Sequence, residues 1–219
     1  MNIVHFTVLL SIVLFQFILN GYWWTEATIN QVDKNPMNPQ INYGTKPIQI
    51  KQIVLELPEG HKLGRIEMGV LCIPMTDLKS IGGKAKVSEN DFTDVVKTVL
   101  ENAGYNIIDD TSVESQTRVY EDELVLKGIV KELKANLCFP KSGFRSWKIS
   151  KGEAYVKIHW QMHSNTDDKI LFEKITEGSE RLTEAIAYGS TKVIRASVAV
   201  ATQNLIADEN FKMVITKLN

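Results

Sequence analysis

The stretch from Gly152 to Thr176 reads GEAYVKIHWQMHSNTDDKILFEKIT, and apolar and polar residues alternate through its first half. The apolar residues of one parity are Ala154, Val156, Ile158, Trp160 and Met162. Alternation with a period of two predicts a β-strand with one buried face. The polar residues 165–168 predict a hairpin turn into a second strand over 169–176. Two strands joined in this way run antiparallel, so the stretch favours a sheet with one covered face.

The clearest helical pattern lies upstream, between Ser88 and Gly104. Ser88 begins a capping-box pattern, with Asp91 in place of the usual Glu. Apolar residues then recur at spacings of three and four, which predicts an amphipathic helix; they are Phe92, Val95, Val96, Val99, Leu100 and Ala103. Gly104 is placed to end this helix in the left-handed conformation. A second helix of the same kind, rich in small residues, is predicted over 181–207.

Shorter patterns complete the domain. Strands are predicted over 48–57, 64–73, 105–108, 124–139 and 211–215, with a loop over 75–87. In the segment 64–73 the pattern places Ile66, Met68, Val70 and Cys72 on one strand face. Within 124–139 the apolar parity changes, which predicts either a bulge near Lys131–Glu132 or two strands. We therefore expect one α+β domain over 48–219: an antiparallel or mixed sheet with two main helices packed on one face.

The N-terminal segment does not belong to this domain. Residues 3–19 are mostly apolar and carry no formal charge, a length at the lower edge of a membrane span. Residues 1–27 are therefore either a cleaved signal peptide or a retained N-terminal membrane anchor. The anchor would place Tyr22, Trp23 and Trp24 at the membrane interface. Both alternatives predict an exported protein, periplasmic or associated with the outer membrane.

Residues 28–47 are rich in Asn, Pro and Gln and hold few apolar side chains. Such a composition cannot bury enough surface to offset the entropy of ordering the chain. The segment is predicted to be a disordered polar linker, with a partner-binding arm as the alternative.

The composition excludes several classes of protein. The 219 residues carry a formal net charge of −1, whereas a dedicated nucleic-acid binder carries a basic excess, so we expect no nucleic-acid partner. Two cysteines are too few for a disulfide-rich scaffold or a cysteine-based zinc module. Cys72 and Cys138 each close a predicted strand and are each followed by an apolar residue and a proline. If the two strands are neighbours, an exported chain would join them in a disulfide; two buried free thiols are the alternative.

The sequence shows no pattern typical of a catalytic site. His159 and His163 share a strand face but lie about 13 Å apart at the rise of a strand, too far for one metal ion. We interpret them as exposed. No nucleophile elbow and no phosphate-binding loop is present. We therefore expect a protein that is not an enzyme, with no catalytic, cofactor-binding or metal-binding residues and no cofactor.

One predicted loop, residues 141–151 with the sequence KSGFRSWKISK, is basic and carries two aromatic residues. It is either a solvated loop or a contact site for a protein partner, an anionic lipid head group or a glycan strand. The candidate partner-binding residues are Lys141, Phe144, Arg145, Trp147, Lys148 and Lys151.

Several segments together resemble a known group of proteins. They are GRIEMGVLCIP (64–74), ENAGYNII (101–108), NLC (136–138) and GEAYVKIHWQM (152–162). In this order they are similar to bacterial envelope auxiliary lipoproteins of the YajG and ABC-transport-auxiliary type, and to related accessory modules of secretion systems. The resemblance implies a compact α+β module that works as an assembly part without catalytic residues. No lipid-attachment cysteine ends the apolar segment, which shifts the expected attachment toward Trp23, Trp24 and protein partners.

The leading functional hypothesis is a non-enzymatic accessory or structural subunit of a larger envelope assembly, such as a bacterial secretion-system core complex. Its partners would be other envelope proteins, with membrane or peptidoglycan contact as a further expectation. Two alternatives remain open. One is a periplasmic ligand-binding module for lipid or peptidoglycan fragments, and the other is a regulatory domain serving a protease or a transporter.

Overall fold

The structure is a computed structural model that describes residues 29, 31–34, 45–80, 89–108, 123–141, 148–166 and 169–216. Its strands are β1 (Ile48–Leu55), β2 (Lys62–Met68), β3 (Ile73–Lys79), β4 (Ile107–Ile108), β5 (Leu124–Phe139), β6 (Ile149–Ser164) and β7 (Ile170–Ala187). Its helices are α1 (Glu89–Asn102), α2 (Gly189–Ile206) and α3 (Glu209–Ile215). Residues 1–28, and with them Tyr22, Trp23 and Trp24, lie outside the described residues. Within the part that is described, no helix is both long and apolar enough to cross a membrane.

The sheet is built around β5. One edge of β5 pairs antiparallel with β6 along almost its whole length, and β6 pairs antiparallel with β7. The other edge pairs in parallel with two strands in turn: β1 along the first half of β5 and β2 along the second half. The strand β4 extends the sheet beyond β1, and β3 extends it beyond β2. The predicted α+β fold with a mixed sheet is confirmed.

The alternating residues of β6 explain which face is covered. Ala154, Val156, Ile158, Trp160 and Met162 are all fully buried, on the face against which the helices pack. The register between β5 and β6 shifts between Val130 and Glu132, so the bulge predicted near Lys131–Glu132 is confirmed. The extra residue lets the apolar side chains of both halves of β5 point to the same core despite their different parity.

The two main helices pack on this face, as the sequence predicts. Gly104 ends the first helical segment with a φ of 87°, and its N–H donates to the carbonyl oxygen of Glu101 at 2.9 Å. Helix α2 lies so close to the sheet that a Cβ added at Gly178 of β7 would meet the carbonyl oxygen of Ser197 at 2.1 Å. This close approach explains why small residues dominate α2.

The single strand predicted over 64–73 is wrong. The strand β2 ends at Met68, residues 69–72 form a turn, and β3 occupies part of the predicted loop. Pro74 did not prevent strand formation because β3 is an edge strand, where a missing backbone donor costs no ladder hydrogen bond. The single strand face predicted for Ile66, Met68, Val70 and Cys72 is also wrong, since Val70 and Cys72 lie in the turn 69–72.

Two predictions in the C-terminal third are also wrong. Residues 181–187 continue β7 instead of starting the helix, because the first part of β6 needs a strand partner, and Ile149 pairs with Ala187. The strand predicted over 211–215 is the helix α3. Its N-terminus is capped by the Asp208 side chain, which accepts hydrogen bonds from the N–H groups of Asn210 and Phe211.

The described parts of the predicted linker touch the domain. Thr45 forms a bridge with Thr216, and the Lys46 N–H donates to the carbonyl oxygen of Ile215 at 2.8 Å. Farther upstream, the Val32 N–H donates to Ser179 Oγ at 2.6 Å. Residues 45–47 therefore belong to the folded domain, because their backbone groups have partners on it.

Candidate functional site

Four strands have a terminus at the same end of the sheet: β2, β5 and β7 end there, and β6 begins there. Met68 of β2 lies opposite Phe139 of β5, Cys138 of β5 opposite Lys151 of β6, and Ile149 of β6 opposite Ala187 of β7. We call this region the hairpin end and define it by the described residues 69–75, 139–141, 148–151 and 186–192. It contains Cys72 and the described part of the predicted basic loop, and Cys138 adjoins it.

The β2–β3 turn is held to the central strand by backbone contacts. The Gly69 N–H donates to the carbonyl oxygen of Phe139 at 3.0 Å, and the Cys72 N–H donates back to Gly69 at 3.0 Å. Gly69 has a φ of 76°, which costs a glycine little. Cys72 has a φ of 51°, which is uncommon for a residue with a side chain.

A disulfide between Cys72 and Cys138 fastens the same turn covalently. The two Cα atoms are 5.4 Å apart and the residues are 66 positions apart in sequence. The sequence predicts that each cysteine closes a strand. In the structure Cys138 lies in β5, whereas Cys72 lies in the turn that follows β2. The turn therefore cannot move away from β5 as long as the bond is intact.

The clamped turn presents large apolar side chains to solvent. Val70 and Leu71 are 84% and 83% exposed, and Ile73 and Met75 at the start of β3 are 58% and 57% exposed. These four side chains contribute little to the hydrophobic core. A contiguous exposed apolar group of this kind is typical of an interaction surface.

The basic residues of the predicted loop that the structure describes lie at the same end of the sheet as this turn. Lys141, Lys148 and Lys151 make no ion pair with any described residue. The Lys148 Nζ lies 5.9 Å from the ring centroid of Tyr188, whose own side chain is exposed. Phe144, Arg145 and Trp147, the other candidate partner-binding residues, lie outside the described residues.

A polar cleft of about 360 Å³ adjoins the disulfide on the open face of the sheet. Most of its charged side chains pair with one another. Arg65 Nε is 2.5 Å from Glu67 Oε1, and Arg181 Nε donates to Glu153 Oε2 at 2.9 Å. Lys151 lines the same cleft.

One group with the spacing of a metal site occurs among the described residues. Ligand atoms of Glu67, Cys72 and Cys138 lie within 4.8 Å of one another. The two sulfur atoms are bonded to each other, and a metal ion binds a thiolate and not a disulfide sulfur. The oxidised chain therefore offers only the Glu67 carboxylate at this point.

The two histidines of β6 differ from each other. His159 Nε2 lies 2.5 Å from Glu173 Oε1 on the open face of the sheet. His163 is only 7% exposed, so the interpretation of both residues as exposed is wrong for His163, and the His159 side chain is only 18% exposed.

The charges in the middle of the open face pair with one another. Lys157 Nζ is 2.9 Å from Glu177 Oε1, and this hydrogen bond holds the pKa of Glu177 below its ordinary value of 4.5. Burial, with the nearby Glu177 carboxylate, raises the pKa of Tyr155 to about 12. The Lys134 Nζ lies 5.6 Å from the Tyr155 ring centroid. This part of the face presents paired charges, unlike the lysines of the hairpin end.

Sequence reasoning missed the exposed apolar turn. The signal was present, because Gly69 and Pro74 bracket the segment and either residue is typical of a turn or a strand edge. The alternation of apolar residues across 66–72 favoured a continuous strand instead.

No family model matches this chain, and no curated protein matches it either. Solved structures with a similar course of the chain include a Xanthomonas campestris protein of the DUF330 family, at a TM-score of 0.41 and 12% identity over 87% of this chain and 91% of that one. A minor lipoprotein of Acinetobacter baumannii has a TM-score of 0.37 and 11% identity, over 79% of this chain and 98% of that one. A PelC dodecamer subunit of Paraburkholderia phytofirmans has a TM-score of 0.36 and 12% identity, over 81% and 98%.

Proposed function

We propose that this chain is a non-enzymatic, exported accessory protein of the cell envelope. It works as a subunit of a larger assembly, of which a bacterial secretion-system core complex is an example. The clamped turn carries the proposal: Val70 and Leu71 are exposed on a turn that the Cys72–Cys138 disulfide holds against the central strand. An exposed apolar surface on a rigid support is suited to binding and not to catalysis.

Two further features support export. The apolar, uncharged segment 3–19 would direct the chain across a membrane, whether it is cleaved or retained. A structural disulfide forms and persists in oxidising compartments and is rare in the cytosol. Export and a fixed binding surface are both expected of a subunit of an envelope assembly.

Cell fractionation followed by mild solubilisation tests this proposal. We expect the full chain in the envelope fraction, with Cys72 and Cys138 oxidised and with other envelope proteins co-purifying in constant ratio. The test variant is Val70→Ser/Leu71→Ser, which keeps the disulfide and should weaken the association of the chain with the envelope. A cytosolic chain with two titratable thiols, or a chain that purifies alone from the envelope, would contradict the proposal.

A second candidate function is supported by the polar cleft. Lys151 lines this cleft and makes no ion pair within the described part of the chain, so the cleft offers one unneutralised cation. A periplasmic module that binds anionic lipid or peptidoglycan fragments would use this side chain. Titration of the full chain with soluble muropeptides should then show saturable binding that Lys151→Glu abolishes and Lys127→Glu, on another part of the sheet, does not. Equal binding by all three proteins would exclude the cleft as the binding site.

A further inference from the structure

We propose that the hairpin end is a membrane-docking surface, with the clamped turn entering a bilayer that carries anionic head groups. The inference rests on the proposed envelope function and names the surface that this end of the sheet contacts. It depends on three observations: an exposed apolar tip, lysines at the same end of the sheet that make no ion pair with a described residue, and a rigid attachment of the tip to the central strand.

The tip is apolar and uncharged, as a segment that enters a bilayer must be. Residues 68–76 contain no charged side chain, and Val70, Leu71, Ile73 and Met75 are all more than half exposed. The turn lies at the extreme end of β2, so these side chains can leave water without burying the charged residues farther along the strand. The nearest charge on β2, Glu67, is buried and pairs with Arg65.

The charges around the tip favour an anionic surface. The hairpin end carries Lys141, Lys148, Lys151 and Lys192, and its described residues 139–141, 148–151 and 186–192 include no acidic side chain. On β7, the nearest acidic residue that makes no ion pair with a described residue is Glu184, which lies outside this end. The hairpin end therefore carries an excess of positive charge. Each lysine near an anionic leaflet strengthens association by electrostatic attraction, and the effect is screened by salt.

Because the tip is fixed to the central strand, its docking requires little loss of conformational entropy. The Cys72–Cys138 disulfide and the Gly69–Phe139 hydrogen bond fix the turn before it meets a membrane. Cys72 and Tyr188 are the non-glycine residues with positive φ in the described part of the chain, and both lie at this end. Backbone held in such conformations is concentrated at functional sites. A surface that is already ordered loses little conformational freedom when it binds.

The alternative occupant of the tip is another protein. A protein partner would have to match four apolar side chains and also supply carboxylates for lysines on three separate segments. An anionic bilayer offers both features without specific matching: hydrocarbon for the tip and phosphate groups for the lysines. The apolar segment 3–19 would also deliver the domain to a membrane surface.

The test uses the full chain with a photoreactive residue at Leu71, reconstituted into vesicles of phosphatidylglycerol and phosphatidylcholine in equal parts. The control carries the same residue at Met213, which is 63% exposed and lies away from the hairpin end. Comparing positions within the anchored chain separates docking of the tip from membrane attachment by the N-terminal segment. We expect at least fivefold more lipid adduct at Leu71 than at Met213.

Two further comparisons test the contribution of the lysines. Vesicles of phosphatidylcholine alone, or a Lys141→Glu/Lys148→Glu variant, should reduce the adduct at Leu71 at least threefold and leave that at Met213 unchanged. Equal adducts at Leu71 and Met213 would overturn the inference. A protein adduct at Leu71 in native envelopes, with no lipid adduct, would also overturn it while supporting the proposed assembly function.

Discussion

Reduction of the Cys72–Cys138 disulfide should destabilise the domain by about 4 kcal/mol. The two cysteines are 66 positions apart, and the loop-entropy relation assigns about 4 kcal/mol to the closure of a loop of this length in the unfolded chain. That free energy corresponds to about three orders of magnitude in the unfolding equilibrium. The change is large because the bond joins the β2–β3 turn to the central strand β5, and a long stretch of chain that includes α1 and β4 lies between the two cysteines in sequence.

Guanidinium chloride unfolding of the oxidised and reduced chain measures this difference on one sequence. With a denaturant dependence of about 4 kcal/mol per molar, the midpoint should fall by about 1 M on reduction. The control is a Cys72→Ala/Cys138→Ala variant, whose midpoint should be insensitive to reductant. A midpoint shift below about 0.25 M would refute the reasoning, because it would mean that the unfolded chain gains little freedom when the bond is broken.

Three further predictions concern the sheet and its helices. Thr176→Val should destabilise the domain by about 2 kcal/mol in denaturant unfolding, because the buried Trp160 Nε1–H donates to Thr176 Oγ1 at 2.7 Å and would lose its acceptor. Thr176→Ser should cost less than half of that. Gly178→Ala should destabilise by about 3 kcal/mol, since its methyl group would meet a carbonyl oxygen of α2 at 2.1 Å. Glu177→Gln should lower the unfolding midpoint at pH 7 and have a smaller effect as the pH falls below 4.5, because the Lys157 hydrogen bond lowers the folded pKa of Glu177.

Each of these predictions has an opposite outcome that would count against it. Equal stability of the valine and serine variants would mean that the indole N–H finds another acceptor. A neutral alanine at position 178 would mean that α2 can move away from β7 at little cost. The stability from Glu177 is present above its unfolded pKa and is lost as the pH falls through the lower folded pKa. An effect of Glu177→Gln that grows toward low pH would therefore contradict the sign.

The sequence alone determined the elements whose patterns agree with their place in the fold. The alternation of β6, the parity change of β5 and the stripe of α1 with its Gly104 stop each report a local periodicity that burial enforces. The bulge in β5 was predictable because a shifted register moves a whole set of side chains to the other face. The pairing of Cys72 with Cys138 was accessible as a hypothesis because each cysteine closes an apolar stretch of sequence and is followed by an apolar residue and a proline.

The tertiary structure decided the features that depend on neighbours. The segment 181–187 has helical spacing, yet it is strand because the first part of β6 offers it a ladder of hydrogen bonds. Val70 and Leu71 fit a strand pattern, yet they are exposed because β2 ends where β5 ends. The hairpin end exists only through strand register, which brings residues 69–75 to the same end of the sheet as Lys141 and Lys148 although more than 60 positions separate them in sequence. Local periodicity carries information about which face of an element is buried, whereas a surface built from several strand ends is a property of their pairing.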